Sequence, residues 1–164
     1  SKWSRSFDTS NDCAYWIWPL TAGSQSMAAR SKARRFALQA LYQMHMTGCS
    51  HHDVLAEFLA DHDMKKVDTD LLSKLLGGIE ENKAQLLEDL TPLMEREANR
   101  LDPIERAVLM IGAFELSYCL EVPYRVAIDE SIDLTKRFGA IESHRFVNSV
   151  LDRLARKTRS HEVT

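Results

Sequence analysis

The amino-acid sequence predicts an all-α fold, a bundle of helices in a single domain. After Met27, apolar residues recur at intervals of three and four positions, which is the spacing of amphipathic helices. No stretch shows the alternating pattern of a strand. The one β-like segment, residues 122–126, is short and contains a proline, so we expect a loop there. A length of 164 residues fits one domain with one hydrophobic core.

Three helices are predicted in the first part of the chain. The first carries apolar residues from Phe36 to Met46 and ends at Gly48. A short second helix covers residues 54–59. The third begins after Asp68 and continues toward Leu90, past a pair of glycines that is expected to bend it.

A helix start is marked most clearly at Asp102. This residue supplies an N-cap carboxylate, Pro103 suits the first helical position, and Glu105 stands where a capping-box side chain reaches back. The helix is expected to include Leu120 and to end before Pro123. Because it is apolar on most sides, we expect it to be the central helix of the core.

Two further helices are predicted after this central one. The first covers residues 126–138 and ends at Gly139, a residue type common just past a helix end. The second starts with Ser143 as its cap and turns Phe146 and the apolar residues of 147–154 inward. Its basic residues lie toward its end, where positive charge suits the helix dipole.

Composition is typical of a globular protein, with 45% hydrophobic and 27% charged residues. No apolar run approaches the roughly 18–20 residues that a membrane-spanning helix needs. Cys13, Cys49 and Cys119 are odd in number and lack CxxC spacing, which indicates free thiols in a reducing compartment. The sequence therefore predicts a cytoplasmic location and no membrane span.

The chain is expected to divide into three parts. Residues 1–26 are rich in Ser and Trp and show no sustained period, so we expect a non-native leader or a disordered extension. A secretory signal is the alternative, but two acidic residues interrupt the approach to a short apolar run. Residues 27–158 form the predicted helical domain, and residues 159–164 are expected to be a flexible tail.

Positive charge lies at the two ends of the predicted domain and negative charge in its middle. Residues 27–52 contain four basic residues and no acid, residues 53–105 contain fourteen acids against six bases, and residues 153–159 contain four bases. If the ends meet in the fold, they form a positive face for a polyanion, and the acidic middle offers a surface to a basic partner. Solvated helix faces are the alternative interpretation.

The motifs of common enzyme classes are missing: there is no P-loop, GxGxxG, GxSxG or HExxH. We therefore expect no catalysis and no cofactor. The best metal-ligand candidates are Cys49, His51 and His52, with His45 and His62 nearby. Their spacing matches no zinc template, so solvated loop histidines are expected and no metal is predicted.

Two pairs of acidic residues are candidates for acid–base chemistry. The pairs Glu80/Glu81 and Asp129/Asp133 would need a buried cleft, for which the sequence shows no sign, so surface solvation is expected. Glu130 and Asp129 stand near Arg125 and Arg137, and we expect ion pairs between neighbouring turns of that helix.

The strongest sign of nucleic-acid binding is the basic run of residues 30–35 on the first turns of an amphipathic helix. Guanidinium groups bind phosphates in a bidentate manner, and an aromatic ring such as Phe146 or Tyr42 can stack on an unpaired base. A basic helix end also suits a membrane surface. RNA is favoured because the apolar face of this helix is needed for the core.

Several segments resemble the NusB family of transcription antitermination factors. Residues 33–43, ARRFALQALYQ, are similar to the family's opening helix, in which an arginine-rich start leads into ALQALYQ. Residues 104–116, IERAVLMIGAFEL, look like its central helix. VPYRVAIDE at 122–130 and FGAIESHRFVN at 138–148 resemble its VPYKVAINEA and FGAxxSHKFVN. The resemblance runs in order from Met27 to about Lys157.

This resemblance implies a fold of about seven helices, no catalysis, and a role as RNA-binding partner of the small-subunit ribosomal protein NusE. It further implies that the pair binds boxA, a single-stranded element of nascent ribosomal RNA, and joins the elongating RNA polymerase complex. Glu105 would face NusE. By position in the family, the RNA-binding residues would be Arg30, Lys32, Arg34, Arg35, Glu142, Arg145 and Phe146.

Three positions depart from the family pattern. Asp129 stands where the family often has Asn, Ile141 where an acid is common, and Ser149 where Gly is common. Ile141 bears on RNA affinity rather than on the fold. For Phe146, a core position and a stacking position are both open, because the neighbouring valines already fill the inward face.

Two other functions are open at this point. A similar helical domain heads some ribosomal RNA cytosine methyltransferases, and the chain would then be a fragment, since it contains no cofactor-binding βαβ unit. The other alternative is a helical protein-interaction module without RNA binding, for example a homodimer that hides the arginines. Phosphate contacts would separate the possibilities, because binding through them weakens steeply with salt.

Overall fold

Seven α-helices follow one another along the residues that the computed structural model describes, 26–96 and 100–163. No strand is present in that part of the chain, and the expected all-α fold of about seven helices is confirmed. Nearly all of the proposed leader, residues 1–25, lies outside the described residues. The helices are α1 (Met27–Thr47), α2 (His51–Asp61), α3 (Thr69–Glu81), α4 (Lys83–Leu90), α5 (Pro103–Tyr118), α6 (Tyr124–Phe138) and α7 (Ser143–Thr158).

The central helix is α5, as its sequence predicts. It packs against α1, α3, α4, α6 and α7, and its residues are buried almost without interruption from Glu105 to Leu116. The Asp102 side chain caps its start by accepting a hydrogen bond from the backbone N–H of Ile104, at 3.4 Å. A helix with apolar side chains all around can bury them only when neighbours surround it.

The break between α3 and α4 corrects one prediction. The helix runs through the glycine pair and ends at Glu81, and the following Asn82 donates its side-chain amide to the Gly78 carbonyl oxygen at 2.8 Å. Gly78 faces the ring of Phe114, and a Cβ atom added there would overlap that ring. Gly78 therefore permits close packing of α3 on α5, and the single helix expected to continue toward Leu90 is two helices that meet at Asn82.

The connection between α5 and α6 also differs from expectation. Helix α5 ends at Tyr118, and Leu120 lies beyond it with 66% of its surface exposed. The loop covers residues 119–123, while Tyr124 already begins α6. The expected loop over 122–126 is therefore only partly right, because the chain enters the helix directly after its proline.

Residues 159–163, the described part of the segment after α7, are anchored by the buried Arg159 and by Val163, which conflicts with the expected flexible tail. Arg159 is fully buried and donates hydrogen bonds to the carbonyl oxygens of Leu116 at 2.9 Å, Cys119 at 2.9 Å and Glu115 at 3.2 Å. Its guanidinium also binds the Glu162 carboxylate at 2.6 Å. The last carbonyls of a helix lack intrahelical donors; Arg159 supplies one to Leu116 and adds a second donor to Glu115 and Cys119, whose carbonyl oxygens also accept the backbone N–H groups of Cys119 and Val122.

Hydrophobic side chains form one continuous core between these helices. Small residues on α1, among them Ala33 and Ala37, let that helix approach α3 and α5 closely. Within the described ranges, no helix has both the length and the apolar composition required to cross a membrane.

Candidate nucleic-acid interface

The basic run lies at the start of α1, where Ser26 caps the helix. The Ser26 hydroxyl accepts a hydrogen bond from the backbone N–H of Ala29 at 3.1 Å. Successive residues of a helix are turned by about 100°, so Arg30 and Arg34 share one side of α1 and Lys32 and Arg35 share another. The two pairs therefore have different environments.

Arg34 points into the protein and not toward a ligand. Its side chain is 2% exposed, and its Nε and Nη2 atoms donate to the two carboxylate oxygens of Glu115 at 2.6 and 2.8 Å. Burial lowers the pKa of Arg34, but hydrogen bonding and the charges of Glu115 and Glu130 together raise it above its ordinary value. Its assignment as a phosphate ligand, implied by the family resemblance, conflicts with this buried ion pair.

Glu130 joins α6 to the same region. Its carboxylate accepts hydrogen bonds from the Ser31 hydroxyl at 2.8 and 3.0 Å and lies 3.7 Å from Nη1 of Arg34. The predicted pairing of Glu130 with Arg125 or Arg137 on its own helix is therefore wrong. Arg34 is satisfied from α5 and α6 together.

Arg30 is half-exposed and lies against the start of α3. Its Nε atom is 4.0 Å from Oδ2 of Asp68, which is the N-cap of α3 and accepts a hydrogen bond from the Leu71 N–H at 3.0 Å. Burial raises the pKa of the Asp68 carboxyl, an effect that the Leu71 hydrogen bond and the positive charge of Arg30 only partly offset. Arg30 thus interacts with a buried carboxylate of the protein, although part of its side chain faces solvent.

Lys32 and Arg35 differ from the other two cations. Both are half-buried and both line one open cleft beside α1. Among the described residues, the ion pairs of α1 basic side chains with acids involve Arg30 and Arg34, and neither Lys32 nor Arg35. These two side chains are therefore the ones best placed to bind an anion.

A second group of predicted residues lies at the start of α7. Glu142 and Arg145 are well exposed and form an ion pair at 3.5 Å. Phe146 is partly buried, and the guanidinium of Arg96 lies over its ring, 4.5 Å from the ring centre. A base that stacks on Phe146 must use the other face of the ring or displace Arg96.

Glu105 lies beneath this second group. Its carboxylate accepts a hydrogen bond from the Ser143 hydroxyl at 2.7 Å and lies 3.3 Å from Arg96. Glu105 therefore makes these contacts instead of the predicted capping box, and Ser143 is the first residue of α7 instead of its cap. With 5% of its surface exposed, Glu105 offers little area to a partner protein.

The two groups are well separated. Glu115, beside Arg34, and Glu105, beside Phe146, stand ten residues apart on α5, which corresponds to about 15 Å along a helix. The structure thus brings together Lys32 with Arg35, and Arg145 with Phe146, but not one group with the other. A single-stranded RNA that contacts both groups of residues must span this distance.

Sequence reasoning missed the partners that decide these environments. Glu115 is the one charged residue between Ala107 and Leu116 of α5, which is a sign that a buried cation pairs with it. Arg34 stands four residues before the buried Leu38, which places it on the buried face of α1. Arg96, which pairs with Glu105 and lies over Phe146, has no comparable sequence signal.

His51 and His52, which were expected in a loop, lie at the start of α2 and form other contacts. The His51 ring pairs with the Glu80 carboxylate, and the rings of His51 and His52 lie 3.9 Å apart. Burial, and then the neighbouring His52, lower the pKa of His51. Within residues 26–96 and 100–163, no group of three potential ligands could hold a metal ion.

Known proteins resemble this chain over most of its length. The sequence model described as the NusB family matches residues 31–156. A protein named transcription antitermination protein NusB, from Legionella pneumophila, is 48% identical over 140 residues, which are 85% of this chain and 95% of that protein. Its namesake from Marinobacter nauticus is 42% identical over 144 residues, 88% of this chain and 91% of that protein.

Solved structures show the same fold. NusB of T. maritima superposes with a TM-score of 0.73 at 29% identity, over 81% of this chain and 95% of that one. A structure titled as the antitermination factors NusB and NusE in complex with dsRNA also gives a TM-score of 0.73. It is 22% identical and covers 80% of this chain and 99% of the matched one, so it bears on the fold alone.

Proposed function

The chain belongs to the NusB family, and on that premise we propose that it is a transcription antitermination protein that binds single-stranded RNA together with a partner protein. The observation that carries this proposal is the 48% identity to an antitermination protein over 95% of that protein's length. The RNA would be the boxA element of nascent ribosomal RNA. The partner would be NusE, and the pair would act on the elongating RNA polymerase, in the cytoplasm.

The charged start of α1 supports RNA binding through phosphates. Lys32 and Arg35 keep their charges near the surface, and half of the charge of the basic run is thus available to a ligand. Arg30 contributes at the edge of this surface, with 36% of its side chain exposed. Charged side chains that neutralise phosphates release counterions, so the affinity is expected to fall with salt.

The start of α7 supports contacts with bases. Arg145 projects into solvent, and the partly buried Phe146 contacts the core and has the guanidinium of Arg96 over one face of its ring. Unpaired bases stack on such rings and on guanidinium planes. We assign Arg145 and Phe146 to RNA contact. Glu142 pairs with Arg145 and would hold its guanidinium in place for that contact.

Binding of a second protein finds support in the solved complex of a NusB protein with NusE. In this chain the buried Glu105 would act on that surface indirectly. It accepts hydrogen bonds from Ser143, which is as buried as Glu105 itself, and from Arg96, whose side chain is half-exposed. We therefore propose Glu105 as a positioning residue of the partner surface.

Fluorescence anisotropy of a labelled boxA-like RNA tests the proposal. The RNA is titrated with this protein alone, with NusE alone and with both, at several salt concentrations. Binding that is tighter with both proteins, and that weakens as salt rises, is the expected result. The variant Arg35→Ala should bind less tightly, whereas Lys83→Ala, an exposed lysine at the start of α4, serves as the control.

An interaction module without RNA binding is the second candidate function. Phe138 and Ile141 are 40% and 88% exposed at the turn between α6 and α7, and exposed apolar side chains of this kind suit a protein contact. Light scattering measures the mass of the free protein. A dimer that is lost in an Ile141→Glu variant, with no RNA binding in any mixture, would favour this candidate over antitermination.

A further inference from the structure

An open cleft of about 370 Å³ lies between α1 and the connection from α2 to α3. Small-ligand sites commonly measure about 300–1,000 Å³, so this cleft has the size for one compact ligand group. Its lining residues are Lys32, Arg35, Phe36, Gln39, Asp63, Lys66 and Val67.

The cleft concentrates positive charge. Lys32 and Arg35 stand one turn apart on α1, and Lys66 comes from the α2–α3 connection. Among the described residues, none of these three cations forms an ion pair with a carboxylate; the ion pairs of α1 involve Arg30 and Arg34 instead. The one acid of the cleft, Asp63, accepts a hydrogen bond from the backbone N–H of Lys65 at 3.0 Å.

The remaining lining groups are apolar or neutral. The Phe36 ring is held by edge contacts with Phe58, at 6.1 Å between ring centres, and with His62, at 5.0 Å. Val67 is buried beside it, and the exposed Gln39 carries both a donor and an acceptor. Cations around an apolar surface with one amide match a nucleotide, which has a phosphate, a flat ring and polar ring edges.

The two walls of the cleft are joined. The backbone N–H of Asp68 donates to the carbonyl oxygen of Ala29 at 3.1 Å, which ties the α2–α3 connection to α1. The Asp68 carboxylate also caps α3 and lies near Arg30. The cleft is therefore formed before any ligand arrives, which lowers the entropy cost of binding.

We propose that this cleft binds one nucleotide of the single-stranded RNA. Its phosphate lies among Lys32, Arg35 and Lys66, its base lies against Phe36 and Val67, and Gln39 bonds to the base edge. This inference rests on the proposed RNA-binding function and deepens it. It adds the α2–α3 connection to the protein surface that binds RNA. It also fixes which nucleotide of the RNA lies beside Lys32 and Arg35 on α1.

Charge reversal at two adjacent lysines tests the phosphate site. Lys66→Glu places a negative charge in the cleft, whereas Lys65→Glu changes the net charge equally at an exposed neighbour that does not line it. We expect Lys66→Glu to weaken RNA binding about tenfold or more, and to lower the slope of log affinity against log salt by about 0.7 per lost phosphate contact. Lys65→Glu should stay within about twofold of the wild type.

The outcomes separate the two levels of the proposal. Equal losses for both variants, or no loss for Lys66→Glu, would overturn the cleft and leave RNA binding by the protein in place. A wild-type protein that binds no RNA, alone or with NusE, would overturn both. Thermal melting checks that each variant is folded. Both are expected to fold, because both substituted side chains are exposed.

A second variant tests the base contact. The RNA is prepared as a series in which one base at a time is replaced, and each member is titrated with the wild type and with Gln39→Leu. We expect the variant to lose discrimination at one position of the RNA and to retain it elsewhere. Discrimination that is unchanged at every position would overturn the assignment of Gln39.

Discussion

Removal of the Arg34 guanidinium is expected to destabilise the fold without weakening RNA binding. The variant Arg34→Met replaces the apolar stem of the side chain but leaves the Glu115 carboxylate without its bidentate partner. Glu115 is 1% exposed, so water cannot replace the lost hydrogen bonds without opening the core. A carboxylate that is buried and unpaired is unfavourable at neutral pH.

The magnitude follows from the burial of both partners. Breaking a buried ion pair on one side costs about 3–5 kcal/mol. For a domain of this length, 1 kcal/mol corresponds to a shift of about 3 °C in melting temperature, so a fall of about 10–15 °C is expected. Replacement of both partners, Arg34→Met with Glu115→Leu, should restore most of the stability, because no charge is then left buried.

Two measurements check this prediction, and Arg35→Met is the matched control. Thermal unfolding by circular dichroism gives the stability, and RNA anisotropy is measured well below the melting temperature of each variant. Arg35→Met should change the free energy of unfolding by about 0.5 kcal/mol or less and weaken RNA binding several-fold. The reasoning is refuted if Arg34→Met melts like the wild type and loses RNA affinity as Arg35→Met does.

Three further predictions concern the core and the end of the chain. Gly78→Ala should cost about 1–3 kcal/mol in urea unfolding, because its new methyl group overlaps the Phe114 ring, and Phe114→Leu in the same chain should recover part of the loss. Burial raises the pKa of the Cys119 thiol to about 12, so peptide mapping after iodoacetamide treatment at pH 8 should find the exposed Cys49 labelled and Cys119 unlabelled. The protonated thiol contributes stability that is present below about pH 9 and is lost as the pH rises toward 12; a Cys119→Ala variant should show a smaller alkaline loss. Arg159→Met should lower the melting temperature, since the Leu116 carbonyl oxygen loses its donor and the carbonyl oxygens of Glu115 and Cys119 each keep only a backbone N–H; a melting curve equal to that of the wild type would return this segment to the status of a flexible tail.

The candidate site was only partly predictable from the sequence. The basic run and its position on the first turns of α1 follow from local pattern, and Lys32 and Arg35 do line a surface cleft. Helical phase alone separates Arg34 from them, because Arg34 shares a face with the buried Leu38. The contribution of Lys66 could not be foreseen, since it depends on how the α2–α3 connection folds back onto α1.

The sequence by itself determined the all-α class, the N-cap at Asp102, the end of α1 at Gly48 and the central place of α5. These features depend on residue spacing and on backbone preferences within a few positions, such as the left-handed φ of 73° at Gly48. Only the tertiary structure decided which charged side chains are buried and paired inside the protein. Arg34 and Glu115 are 81 positions apart, and Arg159 lies 40 or more positions from the carbonyls that it binds. Whether a cation meets a buried acid or water depends on helix packing, because desolvation and pairing act over a few ångströms in space and not along the chain.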